Sequence, residues 1–284
     1  VESIAFSVFN SRLQEKTNRV FKILEDNQYD WEETCYKFIG QSFGFMINKI
    51  PFSLLVESTP LKTLMKYRNN PDTVNAMLFG QAGFLEDRLS GDRYYDSLRK
   101  EYQSIRKLLP ERIVYPHSWK FMRSRPANFP TVRIAQFASL VVKGFPLFAR
   151  ITECSDITGI KEIFNLITTR YWENYMLFGK TGRKTNYRMG KESSEIIIIN
   201  AVLPILFSYG MFRMKHDLKD RTLRFLEELT PESNSVINMW KKAGIIPENA
   251  FDSQGLLQLY NTYCKPRRCL ECLIGCKLIT KSER

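Results

Sequence analysis

Apolar positions in this chain recur at three- and four-residue spacing, the period of a helix face, and β-branched alternation of period two is scarce. From Ile4 to Glu25 the stripe is Phe6, Phe9, Leu13, Val20, Phe21 and Leu24. Arg12, Lys16, Arg19 and Lys22 also fall three or four apart and read as a solvated cationic edge of that helix. Asp30 predicts the cap of a helix from Trp31 to about Ser42, with Gly44 ending it as a residue free to take positive φ. Pro51 and Pro60 fit the first turns of two short helices over 52–57 and 61–67, and Pro71 with Asp72 starts another over 73–81. After Gly91 a longer helix runs to Leu109, burying Tyr94, Tyr95, Leu98, Tyr102, Ile105, Leu108 and Leu109, and Pro110 stops it.

The second half continues in the same period. Helices are expected over 132–142 and 157–167, then over 218–229, 233–243 and 253–263. Ile196 to Tyr209 is apolar all round, which marks a central helix around which the others pack. Pro204 should kink it by removing one backbone bond. The expected fold is therefore all-α, a multi-helix globular bundle around Ile196–Tyr209 with a cysteine loop at its C-terminal end. One helical domain over 1–284 is expected, with a possible sub-division into 1–110 and 111–284.

Composition adds a core and a charge. With 284 residues, 44% apolar and 13% aromatic, the chain can bury one large core or two modest ones. Lysine and arginine exceed aspartate and glutamate by 42 to 30, a net +12, and such a surface attracts polyanions. The excess is uneven. Between Arg112 and Ile151 there is no carboxylate, yet Lys120, Arg123, Arg125 and Arg133 stand there, interleaved with Trp119, Phe121 and Phe129. Pro126 and Pro130 hold that portion extended before a helix begins near Thr131, so it can cradle a phosphate; pairing with acids from other helices is the competing reading. Lys184 and Arg188 belong to a second acid-free basic stretch, broken by Gly179, Gly182 and Gly190, which fits a surface loop and matches no nucleotide-binding pattern.

Chemistry concentrates at the tail. Cys264, Cys269, Cys272 and Cys276 fall within thirteen residues, whereas Cys35 and Cys154 stand alone. Thiolates at this spacing can converge on one soft ion, and their crowding into one run favours an iron–sulfur cluster over zinc, with small buried residues and no metal as the ordinary alternative. Lys265, Arg267 and Arg268 lie inside the run and would stabilise thiolates or meet a phosphate. Only His117 and His216 are present, so a histidine triad or multi-histidine metal site has little to draw on, and no catalytic residue stands out.

The absence of a leader and the opening valine suggest a trimmed piece, and the fourteen-residue apolar segment is short for a membrane span. A cytoplasmic protein with no membrane partner is expected.

Several stretches carry a family resemblance. Phe79-Gly80-Gln81-Ala82-Gly83, Arg125 to Pro130 with Arg133-Ile134-Ala135-Gln136, Ile198-Ile199-Asn200, Ser253-Gln254, and Tyr263-Cys264 with Cys269, Cys272 and Gly275 resemble an uncharacterised bacterial domain-of-unknown-function family, number 2851. The resemblance implies no activity. It implies that fuller members carry an N-terminal region resembling a nuclease-like α/β domain, so that a further region or partner chain is missing here. The cysteine tail is also similar, as an analogy, to the cluster loop of endonuclease III-type glycosylases. The expected function is a nucleic-acid-binding helical module, for DNA before RNA, with a structural iron–sulfur cluster or zinc on Cys264, Cys269, Cys272 and Cys276. Its phosphate contacts are expected at Lys120, Arg123, Arg125, Arg133, Lys184, Arg188, Lys265, Arg267 and Arg268. A metal-free interaction scaffold and the accessory half of a nuclease are the alternatives.

Overall fold

The structure, a computed structural model, describes residues 2–86, 91–122, 128–182, 188–272 and 274–276, with side chains described from Phe9 onward. It is all-α. Fourteen α-helices lie among the described residues, and the only strands among them form one short antiparallel hairpin, β1 (Tyr175–Leu177) with β2 (Lys180–Thr181). The sequence reading made this hairpin part of a loop; with three residues and two, no alternation could be seen.

The chain divides into two compact units, Val1–Lys22 with Leu203–Arg284, and Ile23–Val202. A division at residue 110 does not coincide with either boundary. Helix α5 (Pro71–Gln81) packs on α6 (Arg93–Ile105) and on α7 (Pro130–Gly144), which lie on opposite sides of that point.

The core of the Ile23–Val202 unit is aromatic. Phe137 of α7 meets Tyr36 and Phe43 of α2 (Trp31–Phe43) and Phe52 of α3 (Lys49–Ser58), with ring centroids 5.4, 5.1 and 6.5 Å apart. Phe79 of α5 stacks on Trp172 at 5.3 Å. Two buried polar ends are satisfied by backbone carbonyls, the Tyr36 hydroxyl donating to Thr59 O at 2.7 Å and Trp119 Nε1 to Ala82 O at 2.9 Å. Caps follow the sequence signals, Asp30 accepting from Glu32 and Glu33 amides and Asp92 from Tyr94 and Tyr95 amides. Gly44 acts differently from expectation. Its φ is −73°, and Phe45 next to it takes the positive value of 48°. A Cβ on Gly44 would stand 2.3 Å from Asn48 O, so it is the close approach of two backbones that requires glycine.

The other unit carries α11 (Leu203–Phe212), α12 (His216–Glu228), α13 (Ser235–Lys242), α14 (Ala250–Leu259) and the first part of α1 (Glu2–Asp26). Helices α11 and α12 pack on each other, and α12 and α13 pack on α14. Phe9 of α1 lies against Phe251 of α14, ring centroids 4.1 Å apart.

The segment expected to be central is helical and buried, but it is not one α-helix kinked at Pro204. It consists of α10 (Lys191–Ile197), a π-turn over Ile198–Val202, and α11. Pro204 has no N–H to donate and its ring crowds the carbonyl four residues back; the wider turn just before it absorbs that mismatch. Asn200 Nδ2 donates to Ile196 O at 3.0 Å, so its polarity is answered within the helix. The helical run Lys191–Phe212 thus reaches 22 residues and is long and apolar enough, by length and composition, to cross a membrane, with 67% of its apolar window buried inside the protein.

Candidate functional site

In the Ile23–Val202 unit, two of the predicted phosphate contacts stand in solvent. Lys120 is exposed, and its backbone is pinned to Asn48, whose side chain accepts from Lys120 N at 2.8 Å and donates to Lys120 O at 3.0 Å. The same pair sets Met46, Ile47 and Ile50, all exposed, beside the loop that carries exposed Met122. Arg188 is exposed, with no ion pair among the described residues. Arg123, Arg125 and Lys184 lie outside the described residues.

Arg133 corrects the sequence reading. It is 3% exposed, so it is no surface contact for a polyanion backbone. Position 133 falls among Val132, Ile134, Ala135 and Phe137, all buried, in the first turn of α7. Its guanidinium lies 4.4 Å from the centroid of the Phe45 ring. Nη1 donates to Gln136 Oε1 at 2.8 Å, and Nη2 donates to Ser193 Oγ at 2.7 Å and to Asn128 Oδ1. Every acceptor is neutral. Burial alone pulls the group down to about 10, with no carboxylate opposing it.

The tail belongs to the other unit. Lys265 and Arg267 are exposed and form no ion pair among the described residues; Arg267 sits at a φ of 59°. Arg268 differs, because Nε donates to Glu271 Oε1 at 2.9 Å and Nη2 to Glu271 Oε2, a forked ion pair that neutralises it. A surface pair of this kind is worth little in stability, yet it leaves Arg268 a poorer phosphate contact than its neighbours.

The four cysteines are gathered unevenly. Cys264 is half-buried, Cys272 buried, and Cys269 and Cys276 exposed. The Cys264 thiol is pushed up by burial first, and then by Cys272 and Cys269, so Cys264 lies within electrostatic reach of each of them. Cys276 Sγ instead donates to Leu270 O at 2.9 Å. Gly275 lets the loop close: a Cβ there would stand 2.2 Å from Cys269 O. Among the described residues no three His, Cys, Asp or Glu side chains are arranged to hold a metal ion. The four side chains therefore do not form a ligand set.

The same unit holds a buried polar network that the sequence reading missed. Lys16, taken as part of a solvated edge, is 9% exposed. Its ammonium nitrogen donates to Gln254 Oε1 at 2.7 Å; Arg12 Nε donates to the same oxygen, 2.5 Å away. Gln254 Nε2 in turn donates to Glu232 Oε1 at 2.6 Å, and Gln258 Oε1 accepts from Arg12 Nη1 at 3.5 Å. Burial, with Arg12 adding, drives Lys16 well below the ordinary lysine value, against the pull of Glu232. A signal was present. The buried positions Phe9, Leu13, Lys16, Val20 and Leu24 are spaced four, three, four and four, so Lys16 occupies the apolar stripe itself.

Comparison with known families adds one fact. Residues 1–235 match a family described as "Protein of unknown function (DUF2851)". The chain belongs to this family. The DUF2851 match includes Arg133 and Lys16 and stops short of Gln254 and the four tail cysteines. No curated protein and no solved structure matches the chain, so the likeness of the tail to the endonuclease III loop has no support from them.

Proposed function

We propose that this DUF2851 chain is a helical module that binds a polyanion, with nucleic acid as the polyanion. One observation supports the reading best: Lys120, Arg188, Lys265 and Arg267 are exposed and carry no ion pair among the described residues, in a chain of net charge +12. Exposed, unpaired cations release counterions on meeting phosphates, and that release drives sequence-independent binding. The test is fluorescence anisotropy with labelled duplex and single strands across a salt series. Binding should weaken steeply with salt, and the paired reversals Lys120→Glu/Arg188→Glu and Lys265→Glu/Arg267→Glu should each weaken it and flatten the salt dependence by about two phosphate contacts. Absence of any shift at about 50 mM salt removes the proposal.

The tail supports a second reading, a thiol-held structural metal, because Cys264 lies within electrostatic reach of both Cys269 and Cys272. Soft thiolate donors suit zinc or an iron–sulfur cluster, and binding would draw the three sulfurs together while displacing their protons. Anaerobic purification with iron and zinc analysis is the check. Stoichiometric metal that Cys272→Ser abolishes is the expected result; a colourless protein free of both metals sinks the reading.

A further inference from the structure

Arg133 is a buried cation without a counter-ion among the described residues. Desolvating a guanidinium is costly, and the cost is ordinarily met by a carboxylate at hydrogen-bond distance. Here Gln136, Asn128 and Ser193 supply three neutral oxygens, and Nε, fully buried, has no hydrogen-bond partner. The acidic residues nearest to Ser193 in sequence do not fill the gap: Glu192 is exposed, and Glu195 lies 3.3 Å from Lys161. Helix side chains lean toward the N-terminus, so Arg133 reaches back toward Asn128, just ahead of the start of α7. That start has donors to spare. Pro130 brings no N–H, the first backbone bond of α7 runs from Arg133 N to Phe129 O at 3.0 Å, and the amides of Thr131 and Val132 precede it. Both residues are buried. Helix start and guanidinium thus present positive potential to one region that holds no negative charge among the described residues.

We infer that the Arg133 guanidinium and the first turn of α7 form a binding site for a single phosphate group, free or as the monoester of a larger ligand. A tetrahedral oxyanion would replace the Asn128 amide oxygen on Nη2 and take that N–H together with the unpartnered Nε–H as a fork, add the hydroxyl hydrogen of Ser193 and the spare amides, and supply the missing counter-charge. Access lies on the side of Asn128, which is exposed, and Ser193, which is half-buried. The site uses none of the exposed cations, so a failure of duplex binding leaves it standing.

The test is thermal unfolding of the full chain in phosphate against chloride at equal ionic strength. Phosphate at about 100 times its dissociation constant adds about 2.7 kcal/mol by mass action, which for a chain of this size is a rise in Tm of roughly 5–10 °C. Arg133→Met keeps the length of the side chain and removes the charge; it should fold and lose the phosphate-dependent rise. Ser193→Ala, which deletes one hydroxyl from a half-buried position, should reduce that rise and provides the reading if Arg133→Met does not fold. A 5′-phosphorylated oligonucleotide and its 5′-hydroxyl counterpart, run in place of phosphate, separate a strand end from the free ion as the source. No phosphate-specific rise in the wild type, or an equal rise in Ser193→Ala and Arg133→Met, overturns the inference.

Discussion

Lys16 gives the sharpest quantitative expectation. Its amine is buried beside the Arg12 guanidinium, so its pKa in the folded chain falls well below 10.5, while in the unfolded chain it titrates near the ordinary lysine value. Between those two values the unfolded state holds a proton that the folded state lacks. Stability therefore rises with pH across that window, by at most about 1.4 kcal/mol per pH unit for one group, and levels off once the unfolded lysine is also neutral. Below the folded value both states are protonated and the slope vanishes again. Lys16→Met isolates the effect, because it retains the apolar stem and leaves Gln254 Oε1 its bond from Arg12. Near pH 10.5, where the folded lysine is neutral, the difference should reduce to the neutral hydrogen bonding that Lys16 loses, about 1 kcal/mol per bond in favour of the wild type. As pH falls the difference should reverse, the variant becoming the more stable by up to about 1.4 kcal/mol for each unit descended within the window. Urea denaturation at intervals from pH 6 to 10.5, with both proteins in the same buffers, reads this as a difference of differences in which other titrating groups cancel. A constant offset over the whole range would show that Lys16 keeps its proton in the folded chain, and the argument from burial would fail.

Two further perturbations probe the Ile23–Val202 unit. Asp92→Ala removes the α6 cap and the acceptor for Gly179 N, 2.7 Å away, and for the Tyr171 hydroxyl, and should cost about 3 kcal/mol, read as a lower urea midpoint. Asp92→Asn keeps one oxygen for the cap and should recover part of that loss. Gly80→Ala would set a methyl 2.2 Å from the buried Tyr102 ring and wedge α5 from α6; a loss of about 2–3 kcal/mol is expected by the same measurement, and a neutral outcome would mean the ring yields freely.

The helices were legible because burial of one stripe leaves a period in the sequence. Asp30 capped α2, and the proline-started segments became α3, α4 and α5, within a residue or three of expectation. Helix α8 (Leu147–Glu153) was missed: seven residues hold too little period, and the residue that caps it, Glu32, lies 115 positions earlier and accepts from the amides of Leu147 and Phe148. The candidate site was less legible than the fold. Charge counting treats each lysine or arginine as surface, and it served for Lys120, Arg188, Lys265 and Arg267. It failed for Lys16 and Arg133, where a long cation sits on an apolar stripe and is held by glutamines, which composition cannot distinguish from solvated ones.

That failure has a consistent physical cause. Several residues that carried the family resemblance, Gln81, Arg133, Gln136 and Gln254, are each 3% exposed or less. Gln81 Nε2 donates to Pro110 O at 3.1 Å, Gln136 holds Arg133, and Gln254 joins Lys16 to Glu232. A buried amide is costly unless it is hydrogen-bonded, and Gln254 uses both its ends. Polar residues within apolar runs are thus the places where this fold departs from a plain helical core, and two of them, Gln136 and Gln254, hold buried cations. Among the described residues Arg133 donates only to neutral oxygens, and Lys16 shares Gln254 with a second cation, Arg12, while the carboxylates of Glu232 and Glu15 pull the other way. The two cases predict different remedies. A proton can leave Lys16, so its burial is relieved by pH; a guanidinium keeps its proton at physiological pH, so Arg133 is relieved only by an incoming anion.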